Sequence, residues 1–289
     1  MKDVNFSYEF FPPGNLIGER RFWRSLGCIE TMNPAFFSIT YGALGTDQER
    51  SINTIENVVQ ETDVPIAAHL TFEGSTRKEI NRVARRLAKA GVDKIVALRG
   101  DARADADAAA QRGPCYQSVA EFIAGLVEIY PFDISVACYP EVHPKALSVG
   151  ADILELKGKC DAGANRAISQ FFFDVDQFER FRDNATAAGI NVPIVAGILP
   201  IRDFHKMTVF AERCGTKVPQ RLYDLFEPAK RNPQLAAQIA QDEVESFIDR
   251  LISRDCSDFH IYTLNQPIEL RQCAMSRQRS LAAPIAVSA

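Results

Sequence analysis

The sequence predicts an α/β protein built as a single closed (β/α)8 TIM-like barrel. Three observations lead there. Eight short apolar runs recur along the chain at roughly 30-residue spacing, and helical patterns lie between them. The runs are nearly continuously apolar, as strands covered on both faces must be. The phosphate signatures of open doubly wound sheets, Gly-x-Gly-x-x-Gly and the Walker loop, are both missing.

The candidate strands begin near Asn5, Phe36, Pro65, Asp93, Asp133, Ala167, Pro193 and Asp258. Thr46-Asp47-Gln48-Glu49 and Thr76-Arg77-Lys78-Glu79 read as capping boxes, each opening a helix with apolar residues at helical spacing. Gly91 and Gly189 stand where a left-handed residue stops a helix, the second after a pattern from Gln177 to Ala188. Leu235 to Ile252 reads as a longer amphipathic helix. No linker rich in Pro, Gly or Ser divides the chain, so residues 1–281 are expected to form one domain and 282–289 a disordered tail. The polar, Ala-rich stretch Arg103 to Arg112 is expected to be a mobile loop.

Composition narrows the function. A net charge of −4 gives no general attraction to nucleic acid or to an anionic membrane, so neither partner is expected. Arg82, Arg85 and Arg86 read as the solvated face of a helix. Seven cysteines without a Cys-x-x-Cys pair, no apolar leader after Met1 and no long apolar run together predict a cytoplasmic protein. The four histidines, His69, His143, His205 and His260, make no zinc-ligand pattern, so no metal is expected; His260 alternates with core residues and reads as structural.

The candidate chemistry gathers at the C-terminal ends of the strands, where barrels of this kind carry their sites. Those ends bear Glu9, Thr40-Tyr41-Gly42, His69 with Thr71, Arg99-Gly100-Asp101, Tyr139-Pro140-Glu141 with His143, Gln170, and Thr263-Leu264-Asn265. One polar mouth able to hold a large ligand is the reading that accounts for all of them. Glu9 and Asp101 are the acid/base candidates and Glu141 a weaker one, since an apolar mouth favours the neutral form of a carboxylic acid.

In order along residues 5 to 275, the strand-end phrases resemble the methylenetetrahydrofolate reductase family. They are Tyr8-Glu9-Phe10-Phe11-Pro12-Pro13, Thr40-Tyr41-Gly42, Ala68-His69-Leu70-Thr71, Ala97-Leu98-Arg99-Gly100-Asp101, Tyr139-Pro140-Glu141-Val142-His143-Pro144, Asp161-Ala162-Gly163-Ala164-Asn165-Arg166, Gln170-Phe171-Phe172-Phe173-Asp174, Gly197-Ile198-Leu199-Pro200 and Phe259-His260-Ile261-Tyr262-Thr263-Leu264-Asn265. The resemblance implies FAD held non-covalently, NADH or NADPH as electron donor, and a folate substrate reduced in the site that the nicotinamide leaves. It implies Glu9 as general acid and Asp101 as the carboxylate beside flavin and pterin. Cofactor contacts are implied for Thr40, His69, Arg99, Gly100, Asp101, Tyr116, Tyr139, His143, Asp152, Lys159 and Ala164. Substrate contacts are implied for Glu9, Gln170, Phe210 and Gln266. A homo-oligomer is implied as well.

Three positions depart from the bacterial pattern of the family. Glu155 stands where Asn is expected, and Gly158 and Gln266 where Arg is expected. Each change lowers positive charge or hydrogen-bonding reach toward an anionic ligand. The same residues would also serve the reverse reaction, oxidation of 5-methyltetrahydrofolate with another acceptor. A non-catalytic flavin- or folate-binding protein is the third reading, and the retained Glu9, Asp101 and Gln170 weigh against it.

Overall fold

Eight parallel strands close into a barrel in strict sequence order, with β1 pairing both β2 and β8. The computed structural model describes residues 4–42, 48–100 and 110–268. The strands are β1 Asn5–Phe10, β2 Phe36–Ile39, β3 Ile66–Thr71, β4 Lys94–Leu98, β5 Asp133–Cys138, β6 Arg166–Ser169, β7 Ile194–Ile198 and β8 Asp258–Tyr262. The described helices, renumbered in chain order, are α1 Leu16–Glu30, α2 Gln48–Glu61, α3 Arg77–Lys89, α4 Val119–Ile129, α5 Val149–Asp161, α6 Val175–Ala187, α7 Phe204–Cys214, α8 Gln220–Phe226 and α9 Pro233–Ile252. None of them is long and apolar enough to cross a membrane.

Local chemistry sets the helix ends. Thr76 Oγ1 accepts from Glu79 N while Glu79 Oε2 accepts from Thr76 N, the expected reciprocal capping box of α3. Asp174 caps α6 through Asp176 N and Gln177 N, and Asn232 caps α9 ahead of Pro233 at its first position. Gly91 and Gly189 take positive φ just past α3 and α6. Thr46 and Asp47, the stretch 101–109 including Asp101, and residues 269–289 with the tail lie outside the described residues.

Period 2 along each strand divides the side chains between two cores. Phe6, Tyr8 and Phe10 of β1 pack outward with Phe22, Ile29 and Ile261 in the large core between sheet and helices. Phe36, Ala67, Val96, Ile168 and Val195 form a separate cluster. They come from β2, β3, β4, β6 and β7, so they meet across the lumen. Below them the lumen is plugged by charge: Asp133 binds Arg166 at 2.7 Å and Lys94 at 3.1 Å, and Asn5 Nδ2 donates to Asp258. Above them comes the mouth.

The stretch between β7 and β8 does more than supply one covering helix. After β7 the chain makes α7 and α8 before α9 returns it to the barrel. These extra helices bury Met207, Ala211, Leu222 and Phe226 against Phe171, Phe173, Leu199 and Ile201. The excursion thereby carries α7 to the edge of the mouth.

Candidate active site

The mouth is a cavity of about 1180 Å³ over the C-terminal strand ends. Glu9, Thr40, His69, Arg99, Gly100, Tyr139, His143, Asp152, Lys159 and Gln170 line it. A smaller inner cavity adds Phe210, Phe171, His260, Tyr262 and Leu264 beside Glu9, His69 and Gln170. Most of the residues singled out from sequence are thus brought to one place. Tyr116, Ala164 and Gln266 do not line either cavity. The Tyr116 hydroxyl donates to Asn81, and its ring packs on Phe72 and Phe122. Ala164 sits in the outer core just after α5. Gln266 follows β8, its backbone N–H bonded to Thr263. Asp101 lies outside the described residues. Glu141 is spent on structure, its carboxylate accepting from Lys217 N at 2.8 Å.

Glu9 is held by the two ends that meet beside it. Its carbonyl accepts from Thr263 Oγ1 at 2.6 Å and from Thr263 N at 3.2 Å. Asn265 then clamps Phe11, accepting from its N–H at 3.0 Å and donating to its carbonyl at 2.7 Å. Leu264 and Asn265 both take left-handed φ to form this turn. The phrase Thr263-Leu264-Asn265 is therefore the clamp that fixes the β1 end and the aim of Glu9.

Two imidazoles face the carboxylate. His69 Nε2 is 3.4 Å and His260 Nε2 is 3.7 Å from Glu9 Oε2. His260, expected to be merely structural, is 1% exposed and belongs to the site's inner wall. The register shows why: Ser7 is level with His260 and Glu9 with Tyr262 on neighbouring strands, so all four side chains face the lumen. Period 2 applied to β8 from Tyr262 backwards was the available signal.

The protonation state departs from expectation. Burial works to raise the Glu9 carboxyl, but the facing imidazoles of His260 and His69 outweigh it, so the acid is held below its ordinary value. An acid kept neutral by burial alone was expected; the two histidines across the lumen reverse the sign. Burial in turn pushes His69 down to about 4, against the pull of the Glu9 carboxylate. His69 is thus uncharged near neutral pH. The Tyr262 phenol, pushed well up by burial and by Glu9, keeps its proton and donates to Ser169 O at 2.8 Å.

The rest of the wall is arranged for hydrogen bonding. Asp152 accepts from His143 N at 2.9 Å and fixes the loop after β5, where Val142 has φ 73°. Gln170 accepts from Phe171 N at 3.0 Å, which orients its amide. Phe210 stacks on Phe171 with centroids 5.5 Å apart. Arg99 lies 4.0 Å from Glu73 and Lys159 3.5 Å from Glu155. Gly100 closes on β3, where an added Cβ would stand 2.9 Å from Thr71 Cβ.

A closed barrel with an acid, two imidazoles and a large polar mouth at its C-terminal end defines a barrel enzyme for a sizeable organic ligand. A sequence model described as methylenetetrahydrofolate reductase matches residues 1–275, and the chain belongs to that family. The 5,10-methylenetetrahydrofolate reductase of Salmonella typhimurium strain LT2 is 41% identical over 268 residues, covering 91% of this chain and 87% of that one. The enzyme of the same name from Escherichia coli K12 is 40% identical over equal shares. Among solved structures, an uncharacterized Clostridium thermocellum protein that binds two copies of 5-methyl-5,6,7,8-tetrahydrofolic acid superposes with TM-score 0.64. It covers 97% of this chain and 94% of its own, at 14% identity, and so bears on the fold alone.

Proposed function

We propose that this protein is an FAD-dependent oxidoreductase that reduces 5,10-methylenetetrahydrofolate to 5-methyltetrahydrofolate, with NADH or NADPH as the electron donor. One observation carries the reading. On the wall of the 1180 Å³ mouth, Thr40 Oγ1 is buried without a hydrogen-bond partner, and His69 Nε2 makes no hydrogen bond either, its one polar neighbour being the Glu9 carboxylate at 3.4 Å. Buried polar groups are ordinarily satisfied, so these two fit the polar edge of a bound group.

The residues present fit FAD. Thr40, His69, Arg99, Gly100, Tyr139, His143, Asp152 and Lys159 would hold it, with Arg99 and Lys159 toward the phosphates and Asp152 toward a ribityl or ribose hydroxyl. By the family resemblance, Asp101 would be the carboxylate beside flavin and pterin. When bound, FAD supplies the hydride that passes between nicotinamide and folate. Glu9 would give its proton to the folate's imidazolidine ring and open it to the reactive iminium. Gln170 would hydrogen-bond the pterin, and Phe210 would cover it. A pterin seated over Glu9 removes water from the carboxyl and favours its neutral form, opposing the His260 effect.

The deciding experiment is anaerobic. The purified protein is expected to be yellow and to release FAD on denaturation. Flavin reduction is then followed separately with NADH, NADPH and 5-methyltetrahydrofolate. Bleaching by a nicotinamide, with reoxidation by methylenetetrahydrofolate, supports the reading. Bleaching by methyltetrahydrofolate alone would assign the reverse reaction. Protein that stays colourless after incubation with FAD would sink both.

A further inference from the structure

We infer that Lys145 and Arg213 form a second oxyanion subsite on the rim of the mouth, taking the outermost phosphate or carboxylate of a ligand seated deeper in. The inference rests on the flavin and folate reading above. The cavity's lining cations divide in two. Arg99 and Lys159 each already face a carboxylate, Glu73 and Glu155. Lys145 and Arg213 line the same cavity, and among the described residues neither side chain has an ion pair or hydrogen bond.

The two cations sit on different elements that are locked together. Lys145 follows β5, and its backbone N–H donates to His143 Nδ1 at 3.0 Å. Arg213 lies in the last turn of α7. The loop after α7 packs on the loop after β5: Lys217 N donates to Glu141, and a Cβ added at Gly215 would lie 3.0 Å from Pro144 Cγ. The rim is therefore a fixed wall.

Helix α7 also gives a direction. Phe210, Arg213 and Cys214 share one face at i, i+3 and i+4. Phe210 and Cys214 line the inner cavity, and Arg213 the outer one. A planar ligand against Phe210 thus meets Arg213 about one turn, ~5 Å, further along. An ammonium and a guanidinium suit a phosphate or a carboxylate equally. The candidates are the diphosphate of the flavin cofactor and the glutamate tail of the folate. Arg99 and Lys159 share their charge with Glu73 and Glu155, so Lys145 and Arg213 are the lining cations that bring uncompensated charge to either.

The test uses the flavin-loaded protein and its Lys145→Gln, Arg213→Gln and double variants. FAD release on dilution is read by fluorescence. Binding of 5-methyltetrahydrofolate as monoglutamate and as triglutamate is read from the flavin spectrum, at about 50 and about 200 mM KCl. The double variant is expected to weaken one arm about tenfold at low salt and less at high salt, with about threefold for each single change. Faster FAD release assigns the phosphates; loss confined to the folate arm, greatest for triglutamate, assigns the carboxylates. Binding within about 1.5-fold of the parent in both arms overturns the subsite while leaving the function intact. A parent that holds neither flavin nor folate overturns the function and the subsite with it.

Discussion

Ser7 Oγ lies 2.7 Å from His260 Nδ1, at the centre of the barrel and directly beneath Glu9. The same hydroxyl donates to the Phe259 carbonyl at 3.1 Å, and Ser38 Oγ reaches His260 Nε2 at 3.4 Å. The ring is therefore braced from two strands while its Nε2 faces the acid at 3.7 Å. This is how a buried lumen residue bears on the proton affinity of a carboxyl that lines the mouth.

His260→Leu should raise the pKa of Glu9. The substitution removes the imidazole that holds the acid down and leaves burial opposed by His69 alone. Glu9 would then stay protonated to higher pH. The descending limb of the folate half-reaction should move upward in pH, with flavin reduction by nicotinamide unchanged. A pH profile of methylenetetrahydrofolate reduction decides it; an unmoved or lowered limb would sink the idea.

Glu9→Gln should cost the folate half-reaction roughly 10²–10⁴-fold, the usual worth of a general acid. The amide keeps the shape and the clamp on the Glu9 carbonyl, because that clamp is made to the backbone. Reduction of the flavin by nicotinamide should survive. Stopped-flow measurement of the two half-reactions separates them, and a mutant that reduces the folate at the parent rate would exclude Glu9 as the acid.

His69 makes stability pH-dependent. Its folded value is about 4, against about 6.5 for an unperturbed histidine. Between those values the unfolded chain binds the extra proton, so stability falls as pH drops from about 6.5 toward 4. The loss should approach ~2–3 kcal/mol. The depressed Glu9 adds loss in the same direction as pH falls through its own folded value. Urea unfolding at pH 7 and pH 5 should show a smaller difference for His69→Gln than for the parent. An equal difference would place the titration elsewhere.

Gly197→Ala should destabilise the barrel by about 3 kcal/mol or more. A Cβ there would stand 2.0 Å from the Ser169 carbonyl oxygen and 2.9 Å from the Tyr262 ring. Those are backbone and a packed aromatic, and neither can yield. Thermal unfolding of the variant is the check, and a melting temperature like the parent's would contradict the geometry.

Glu155→Gln should tighten FAD binding roughly threefold by releasing Lys159 from its ion pair, an effect kept small by solvent at the exposed carboxylate. Gly158→Arg meets no steric obstacle, since a Cβ there has nothing within 4 Å. Fluorescence titration of flavin-free protein with FAD measures both. Unchanged affinity in each would mean that this face of α5 does not meet the phosphates.

The barrel was legible because its signals are local and repeated. Apolar runs at near-regular spacing, the Thr76 capping box and the glycine stops each act within a few residues, and eight such units leave one closed arrangement. The polar strand ends were legible for the same reason: parallel strands deliver all their C-termini to one mouth. Three features needed the tertiary structure. The pKa of Glu9 depends on His69 and His260, some 60 and 250 residues away in sequence, which meet it only across the lumen. The excursion through α7 and α8 brings Phe210 and Arg213 to the rim by packing on Phe171, Leu199 and Ile201, contacts that no local pattern encodes. Ala164 lies in one of the family's phrases and the resemblance implies Tyr116 as well, yet both pack in the outer core, because position along the chain fixes which strand end a residue follows and not the direction its side chain takes. Sequence alone determined that the polar strand ends gather at one mouth; lumen packing and the closure of the barrel decided which side chains line it and which of them touch.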